Sequence, residues 1–431
     1  MDGLNQSAVS GLLRFITAGS VDDGKSTLIG RLLFDSKTLH EDQLSAIEAS
    51  SRKRGMQSVD LSLLTDGLSA EREQGITIDV AYRYFSTPSR KFIVGDSPGH
   101  IQYTRNMVTA ASTADVAVIL VDAESGVKTQ TRRHLYLAHW VGVSRVVFAV
   151  NKMDTIGHDQ TAFELIRDSL IDLAREIGYE AVDVIPVSAL HGDNVVNRGD
   201  NMPWYLGSTL LEYLEQVPGA HDSSNQIFRF SVQRVLRVNR DNVQRCSDFE
   251  NMDCRGYQGL ILSGTVQVGD RIAVSQNGSQ ATVERILLSN KEFGQSATSG
   301  QSVTIFLEHD IDVSRGYTFS KSDQPMSVAR DLDAALCWFD EAPFDGSKTY
   351  LMKHGSDSVR VKVKEIQYRV DVDSLEKLGA EHRMVMNDIA RIQLRSQRDI
   401  AFDKFTVNRQ TGVFILIDEI NNHTVAAGTI Q

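Results

Sequence analysis

The chain has 431 residues, of which 41% are hydrophobic and 23% are charged. This composition is that of a globular protein, and the length alone indicates about three domains. The formal net charge of −11 argues against a protein that wraps nucleic acid by neutralising many phosphates.

Cysteine content and hydropathy exclude two further classes, disulfide-rich or zinc-binding proteins and membrane-spanning proteins. The three cysteines, Cys246, Cys254 and Cys337, are too few and too irregularly spaced for a disulfide framework or a zinc site, which predicts ordinary thiols. The amino terminus lacks the regions of a secretion signal, and no segment has the ~18 apolar residues that span a membrane. We therefore expect a soluble, cytoplasmic protein with no membrane partner.

The first half of the chain alternates short apolar runs with helix-like stretches. The runs are rich in Val and Ile, and they lie at 12–19, 91–96, 115–123, 145–152 and 181–189. This pattern predicts an α/β domain over residues 1–222, with a mostly parallel sheet and helices on both faces. The stretch 163–178 has apolar residues at helical spacing and predicts a crossover helix that ends at Gly178.

The first apolar run leads into a phosphate-binding loop. Residues 19–26 match the pattern G-x-x-x-x-G-K-[ST] at every fixed position and stand between a predicted strand and a predicted helix. Backbone N–H groups in such a loop converge on phosphate oxygens, Lys25 would neutralise phosphate charge, and the Ser26 hydroxyl would bind Mg²⁺. The residues expected to contact the nucleotide here are Gly19, Ser20, Val21, Asp22, Asp23, Gly24, Lys25, Ser26 and Thr27.

Four further residues are candidates for sensing and cleaving the γ-phosphate. Asp96 ends a predicted strand and would hold Mg²⁺, and the N–H of Gly99 would meet the γ-phosphate. Thr77 would close over Mg²⁺ from a mobile loop, the alternative being a β-branched residue in an edge strand over 76–85. His100 would orient the attacking water. The expected residues for hydrolysis are thus His100, Lys25 and Thr77, and those for Mg²⁺ are Ser26, Thr77 and Asp96.

The ends of two later strands carry candidate base-reading residues. Asn151, Lys152 and Asp154 form the pattern N-K-x-D after the run 145–152. The Asp154 carboxylate would accept two N–H bonds from guanine, a donor pair that adenine lacks, and Lys152 would lie along the base. Ser188, Ala189 and Leu190 end another strand, where a backbone N–H would donate to guanine O6. Together these elements predict GTP, rather than ATP, as the nucleotide.

Beyond residue 218 the pattern changes to strands only. Pro218, Gly219 and the polar run 222–226 indicate a linker, and 320–327 indicate a second one. Short alternating runs follow, with a hairpin signal at 276–279. They predict two small all-β barrels, over 226–322 and 326–431.

These motifs resemble the translation-factor group of GTPases, in which a GTP-binding domain precedes two β-barrels. Within that group the chain resembles the large, GTPase subunit of bacterial sulfate adenylyltransferase. The stretches that carry this resemblance are 66–87, 102–107 and 408–428. Asp23 stands where elongation factors have His, whereas Ile101 and Ser97 depart from the family's usual Glu and Thr.

The resemblance implies a function that the residues alone do not. A smaller catalytic subunit would condense ATP and sulfate into adenosine 5′-phosphosulfate and pyrophosphate, and GTP hydrolysis on this chain would drive that step. The sequence has no second phosphate loop, no SGGxDS motif and no H-x-G-H pair for adenylyl transfer.

Two alternatives remain open at this point. One is a translation-type factor that carries aminoacyl-tRNA, and the other is a free-standing regulatory GTPase. Against the first, the basic residues within 359–364 and 390–398 recur with a period of two. That spacing favours solvent-facing sides of strands over a stripe that binds RNA.

Overall fold

The structure, a computed structural model, divides the chain into two compact units, Met1–His221 and Asp222–Gln431. The described residues are 11–37, 61–64, 79–100, 103–219, 226–238, 254–289, 292–371, 374–379 and 383–431. Thr77, Ile101 and Cys246 lie outside these ranges, as does most of the stretch 66–87.

The first unit is built on a six-stranded sheet. Its strands are β1 (Leu12–Ala18), β2 (Ala81–Ser86), β3 (Lys91–Asp96), β4 (Val116–Asp122), β5 (Arg145–Asn151) and β6 (Val182–Pro186). Their order is β2-β3-β1-β4-β5-β6, and every pairing is parallel except that of the edge strand β2 with β3. All five apolar runs of the first half are therefore strands, as predicted, and their carboxyl ends share one edge of the sheet.

Five helices accompany this sheet among the described residues. They are α1 (Lys25–Asp35), α2 (Thr104–Ala111), α3 (Thr129–Trp140), α4 (Gln160–Ile177) and α5 (Leu210–Gln216), with short 3₁₀ turns at Leu61–Leu64 and Met153–Ile156. Every residue of β4 is buried, which requires cover on both faces of the sheet. Leucines of α1 and α5 share one core cluster with alternate residues of β1 and β4.

The limits of helix α4 follow from the residues at its two ends. Asp159 caps its start by accepting a hydrogen bond from the N–H of Thr161, at 3.0 Å. Gly178 ends it in the left-handed conformation, with φ of 114°, which glycine adopts without steric cost. The predicted crossover helix and its end at Gly178 are confirmed.

The second unit contains two closed antiparallel barrels. The first comprises β7 (Arg229–Val238), β8 (Cys254–Ser263), β9 (Thr265–Gln267), β10 (Arg271–Val274), β11 (Gln280–Leu287), β12 (Phe293–Gly294), β13 (Ser296–Thr298), β14 (Ser302–Leu307) and β15 (Thr318–Lys321). Six strands close the ring in the order β10-β15-β7-β8-β14-β11, because β11 pairs back with β10. The predicted hairpin at 276–279 joins these last two strands, and Gly278 in it has φ of 74°.

The second barrel comprises β16 (Ser327–Trp338), β17 (Tyr350–His354), β18 (Asp357–Val370), β19 (Lys377–Leu378), β20 (Ile389–Phe402), β21 (Val413–Ile417) and β22 (Thr424–Ile430). Its ring runs β17-β21-β22-β16-β20-β18 and closes through β17 and β18. The predicted fold class, an α/β phosphate-loop domain followed by two β-barrels, is confirmed. One detail differs: β15 includes the first residues of the predicted linker 320–327, because their backbone pairs with β7 and β10.

Buried polar groups join the two barrels. Arg229 of β7 makes two hydrogen bonds with the Asp403 carboxylate, at 2.7 and 2.8 Å, and is almost fully buried. Thr411 donates to the same carboxylate, at 2.6 Å. Asn408 donates to the Ser263 hydroxyl, at 2.7 Å. The Arg229–Asp403 and Asn408–Ser263 contacts cross between the barrels, and Thr411 supports the Asp403 carboxylate from within the second barrel. This buried network fixes the register of one barrel against the other.

The basic strand residues lie where the period-two pattern places them. Arg360, Lys362 and Lys364 are exposed and alternate with buried valines along β18. Arg360 pairs with Glu419, at 2.9 Å, and Lys364 pairs with Asp331, at 3.4 Å. The interpretation as solvent-facing sides of strands is confirmed for 359–364. Within 390–398, Arg395 and Arg398 are exposed, whereas Arg391 is half-buried. In the described part of the chain, no helix is long and apolar enough to span a bilayer.

Candidate nucleotide-binding site

The phosphate loop connects β1 to α1 and lies at the carboxyl edge of the sheet. Gly24, with φ of 91°, precedes the first residue of α1. A Cβ atom at Gly24 would lie 2.4 Å from Nδ2 of Asn151, which is too close for any side chain. The second glycine of the motif is thus required twice, by its backbone conformation and by the approach of Asn151.

Lys25 is buried at the centre of this loop. Its Nζ donates to the carbonyl oxygens of Gly19, at 2.9 Å, and Ser20, at 2.7 Å. Burial lowers the pKa of Lys25, and the carboxylates of Asp96, Asp23 and Asp22 act in the opposite direction. A buried cation on a loop of converging backbone N–H groups is suited to a polyphosphate.

The γ-phosphate candidates lie beside the loop. Thr17 of β1 donates to the Asp96 carboxylate of β3, at 3.2 Å, so the ends of two neighbouring strands are joined. A Cβ atom at Gly99 would lie 2.8 Å from both the Gly19 carbonyl oxygen and Lys25 Nζ, so only glycine fits between them. His100 follows directly, is partly exposed, and contacts Tyr103 edge to face with 6.5 Å between the rings.

The base-reading candidates form a second group at the ends of β5 and β6. The Asp154 carboxylate lies in the 3₁₀ turn Met153–Ile156 and accepts a hydrogen bond from Ser188 Oγ, at 2.6 Å. Lys152, in the left-handed region with φ of 62°, pairs with Asp122 at 2.7 Å. Burial works against it, but the Lys152 hydrogen bond and two backbone N–H groups lower the pKa of Asp122. Lys152 and Asp154 of the predicted N-K-x-D motif are therefore each held by a neighbouring side chain.

Asn151 connects the two groups. Its Nδ2 donates to the Asp23 carbonyl oxygen, at 2.8 Å, and its Oδ1 accepts from the Ala189 N–H, at 2.9 Å. The sequence predicts Asn151 beside the base. In the structure, Asn151 also connects the phosphate loop to the loop 188–190 through these two hydrogen bonds.

The remaining predicted residues lie around this frame. Ser26, Thr27 and Val21 are partly buried, and Asp22 is exposed with φ of 69°. Leu190 is exposed, whereas Ser188 is buried. Thr77 is outside the described residues.

No cluster of three or more His, Cys, Asp or Glu suited to a metal occurs in the described ranges. Hydroxyl and carboxylate oxygens such as Ser26 and Asp96, at the edge of the phosphate loop, fit Mg²⁺ held largely by phosphates.

Three residues that the sequence did not point to take part in the site. Arg31 of α1 donates through Nε to the Ala189 carbonyl oxygen, at 3.1 Å, and through Nη2 to that of Leu190. Lys128 pairs with Asp23, at 2.8 Å. His134 of α3 is fully buried near Lys25, and its pKa is lowered to about 3, first by burial and then by Lys25 and Arg133. Arg31 and Lys128 contact partners more than a hundred residues away, and His134 lies in a helix that carries no motif. A short sequence pattern therefore could not identify them as site residues.

Comparison with known proteins agrees with this geometry. The family described as the elongation factor Tu GTP binding domain matches residues 10–219, and the GTP-eEF1A C-terminal domain-like family matches residues 331–431. The chain is thus a GTPase of the elongation factor Tu class.

The more specific assignment comes from full-length relatives. "Sulfate adenylyltransferase subunit 1" of Teredinibacter turnerae is 47% identical over 97% of this chain and 86% of its own length. The protein of the same name from Bacteroides thetaiotaomicron is 45% identical over 99% of this chain and 87% of its own. "Bifunctional enzyme CysN/CysC" of Mycobacterium tuberculosis is 46% identical, and the match covers 97% of this chain and 67% of that protein. The chain belongs to the sulfate adenylyltransferase subunit 1 family.

Proposed function

We propose that this chain binds and hydrolyses GTP at the site described above, and that the hydrolysis drives formation of adenosine 5′-phosphosulfate and pyrophosphate from ATP and sulfate on a smaller partner subunit. The names of the relatives supply the reaction, and the word "subunit" in them supports a partner. The observation on this chain that carries the proposal is the side chain of Asn151, which joins the phosphate loop to the loop 188–190. That second loop in turn holds the Asp154 carboxylate through the Ser188 hydroxyl.

The proposed roles follow from position. Lys25 and the loop backbone bind the phosphates, and Ser26 and Asp96 would hold Mg²⁺, which would offset charge on the phosphates. Thr77, outside the described residues, would join them on the strength of the sequence pattern alone. His100, next to Gly99 at the γ-phosphate end, orients the attacking water. Asp154 accepts the N–H groups of guanine, Lys152 lies along its ring, and the loop Ser188–Ala189–Leu190 donates to O6. We further propose three domains, at 1–222, 226–322 and 326–431.

The coupling to the partner is tested by turnover. We expect the purified chain to hydrolyse GTP faster when the small subunit, ATP and sulfate are all present than when any one is omitted. The reason is that each round of the driven reaction requires hydrolysis of GTP on this chain. Release of phosphate from GTP is the measurement. Equal turnover in all mixtures would contradict the coupling, and tight binding of aminoacyl-tRNA by the chain would support the translation-factor alternative instead.

Guanine recognition is tested at Asp154. In Asp154→Asn the amide presents an N–H where guanine also has one, so we expect GTP affinity to fall at least about tenfold while binding of xanthosine triphosphate improves. Equilibrium binding of both nucleotides measures the change. Asp159→Asn, an exposed helix cap close by in sequence, serves as the matched control and should keep the wild-type preference. An unchanged preference in Asp154→Asn would remove Asp154 from the base site.

A further inference from the structure

The phosphate loop carries a buried carboxylate of its own. Asp23 lies within the loop and is 1% exposed. One of its oxygens accepts the N–H of Ser20, at 2.6 Å, and the other accepts a hydrogen bond from Lys128 Nζ, at 2.8 Å. The chain therefore places an anion inside a loop whose backbone is arranged to receive anions.

A carboxylate in this position opposes the binding of a polyphosphate. Like charges a few ångströms apart repel strongly where water is excluded, and Asp23 is screened from water on nearly all sides. The nearby Lys25 donates to the carbonyl oxygens of Gly19 and Ser20. The cation that hydrogen-bonds the Asp23 carboxylate is Lys128, which immediately precedes α3 and reaches back to the loop. Its own side chain is one-third exposed, so it cancels the Asp23 charge without itself being trapped in the interior.

The pair also shapes the loop. While Lys128 binds one carboxylate oxygen of Asp23, the other oxygen accepts the N–H of Ser20. The backbone N–H of Asp23 donates in return to the Ser20 carbonyl oxygen, so residues 20–23 form a closed turn. The Asp23 carbonyl is held from the opposite side by Asn151. Asp23 is therefore fixed at its backbone by the base-reading side of the site and at its side chain by α3.

We propose that Lys128 is a positioning residue for nucleotide binding: it neutralises Asp23 and so sets the affinity of the phosphate loop for GTP. This inference rests on the proposed GTP site. It assigns to the start of α3 a role in binding strength, whereas the hydrolytic step is left to the residues that touch the γ-phosphate. Loss of the Lys128 charge therefore raises KM for GTP and leaves kcat close to its wild-type value.

The critical comparison is between single and double variants. Lys128→Met leaves the Asp23 carboxylate without its hydrogen-bonded cation, and we expect it to weaken GTP binding by about tenfold or more. Asp23→Asn keeps an oxygen for the Ser20 N–H but removes the charge, so it binds GTP at least as tightly as wild type. The double variant Asp23→Asn/Lys128→Met returns to within about threefold of wild type. A purely structural role for the pair predicts the reverse, with the double variant at least as weak as either single one.

The experiment uses the full chain with a fluorescent GTP analogue, at low and at high salt, and GTP turnover at varied GTP concentration. Arg132→Met is the matched control. It removes a cation of similar exposure from the first turn of α3, just after Lys128, where it pairs with Glu176 at 3.7 Å. This variant should leave GTP binding and turnover unchanged. Lys128→Arg keeps the charge and should retain most of the affinity.

Two results would overturn the inference: wild-type affinity in Lys128→Met, or a double variant as weak as Lys128→Met. Melting in the absence of nucleotide shows whether each variant folds. If Lys128→Met does not fold, Asp23→Asn decides, since a tenfold loss of affinity there contradicts the idea that its charge opposes the nucleotide. Failure of the GTP site itself looks different, because then wild type does not bind GTP or Lys25→Ala binds it equally well.

Discussion

At the scale of single residues, the site depends on side chains that use both of their polar ends. Asn151 donates at one end and accepts at the other, with 2.8 and 2.9 Å to its two partners. Aspartate would lose the donor and aliphatic residues would lose both bonds. Arg31 also contacts the loop 188–190, but only as a donor, since its guanidinium binds two consecutive carbonyl oxygens. The conformation of this loop is thus determined from both sides before any base is bound.

His134 makes a prediction about pH. Its pKa is about 3 in the folded chain against the ordinary 6.5, because burial and the charges of Lys25 and Arg133 disfavour the cation. Between these values the folded state binds fewer protons than the unfolded chain, so stability falls as pH drops below about 6.5 and is indifferent to His134 above it. At pH 5.5 this amounts to about 1.4 kcal/mol.

Denaturant unfolding of the full chain at pH 7.5 and 5.5 measures the effect. We expect His134→Gln to lose less stability than wild type over this interval, by about that amount. His139 and His354, whose pKa values burial also lowers, contribute in the same direction in both proteins and cancel in the comparison. An equal loss in the two proteins would mean that His134 does not titrate in this range.

The residue roles predicted from sequence were those that follow a strand end or a fixed spacing. Gly24, Lys25 and Asp154 belong to motifs only a few residues long, and their neighbours along the chain are also their neighbours in the site. Arg31 and Lys128 could not be found in this way, since their partners are 158 and 105 residues away. Only the three-dimensional arrangement of the sheet brings them together.

At the scale of elements, the strands follow directly from hydrophobic pattern. Continuous apolar runs became the parallel strands of the first unit, since both faces of β4 are covered, and alternating runs became the barrel strands, each with one face in a core. Short strands were harder to predict: β15 has four residues, and β9 and β13 have three each. So few residues show no period, and their pairing is set by the strands beside them.

The ion pair between the barrels gives a prediction at this scale. Arg229→Met leaves the Asp403 carboxylate buried without its cation, which costs about 3–5 kcal/mol. We expect the double variant Arg229→Met/Asp403→Leu to recover part of this loss, because no unpaired charge remains. Differential scanning calorimetry of the full chain measures both changes in the transition of the second unit.

A matched control is Arg330→Met, which removes an exposed partner of Asp399 at 2.9 Å. Exposed pairs of this kind contribute less than about 1 kcal/mol, so this variant should melt like wild type. If Arg229→Met also melts like wild type, the barrels are not held together by the buried pair.

At the scale of the whole molecule, each unit has hydrophobic cores of its own. Among the described residues, one cluster lies on one face of the first unit's sheet around β1 and β4, and two separate clusters fill the barrels. The described residues of the candidate nucleotide site therefore all belong to the first unit. The strands of the second unit close into two barrels whose outer faces carry charged residues. The sequence predicted this division because the change from helical to alternating pattern coincides with it.

The central place of β1 in the sheet has a consequence for synthesis on the ribosome. Thr17 of β1 meets Asp96 of β3, and Arg14 meets Asp115 just before β4, so the partners are 79 and 101 residues apart. At a rate of about 5–20 residues per second, the first apolar strand to emerge waits roughly 4–20 seconds for its neighbours. During that interval β1 is an unpaired apolar segment that is prone to aggregate. We therefore expect chaperones that act on nascent chains to bind it before its neighbouring strands are made.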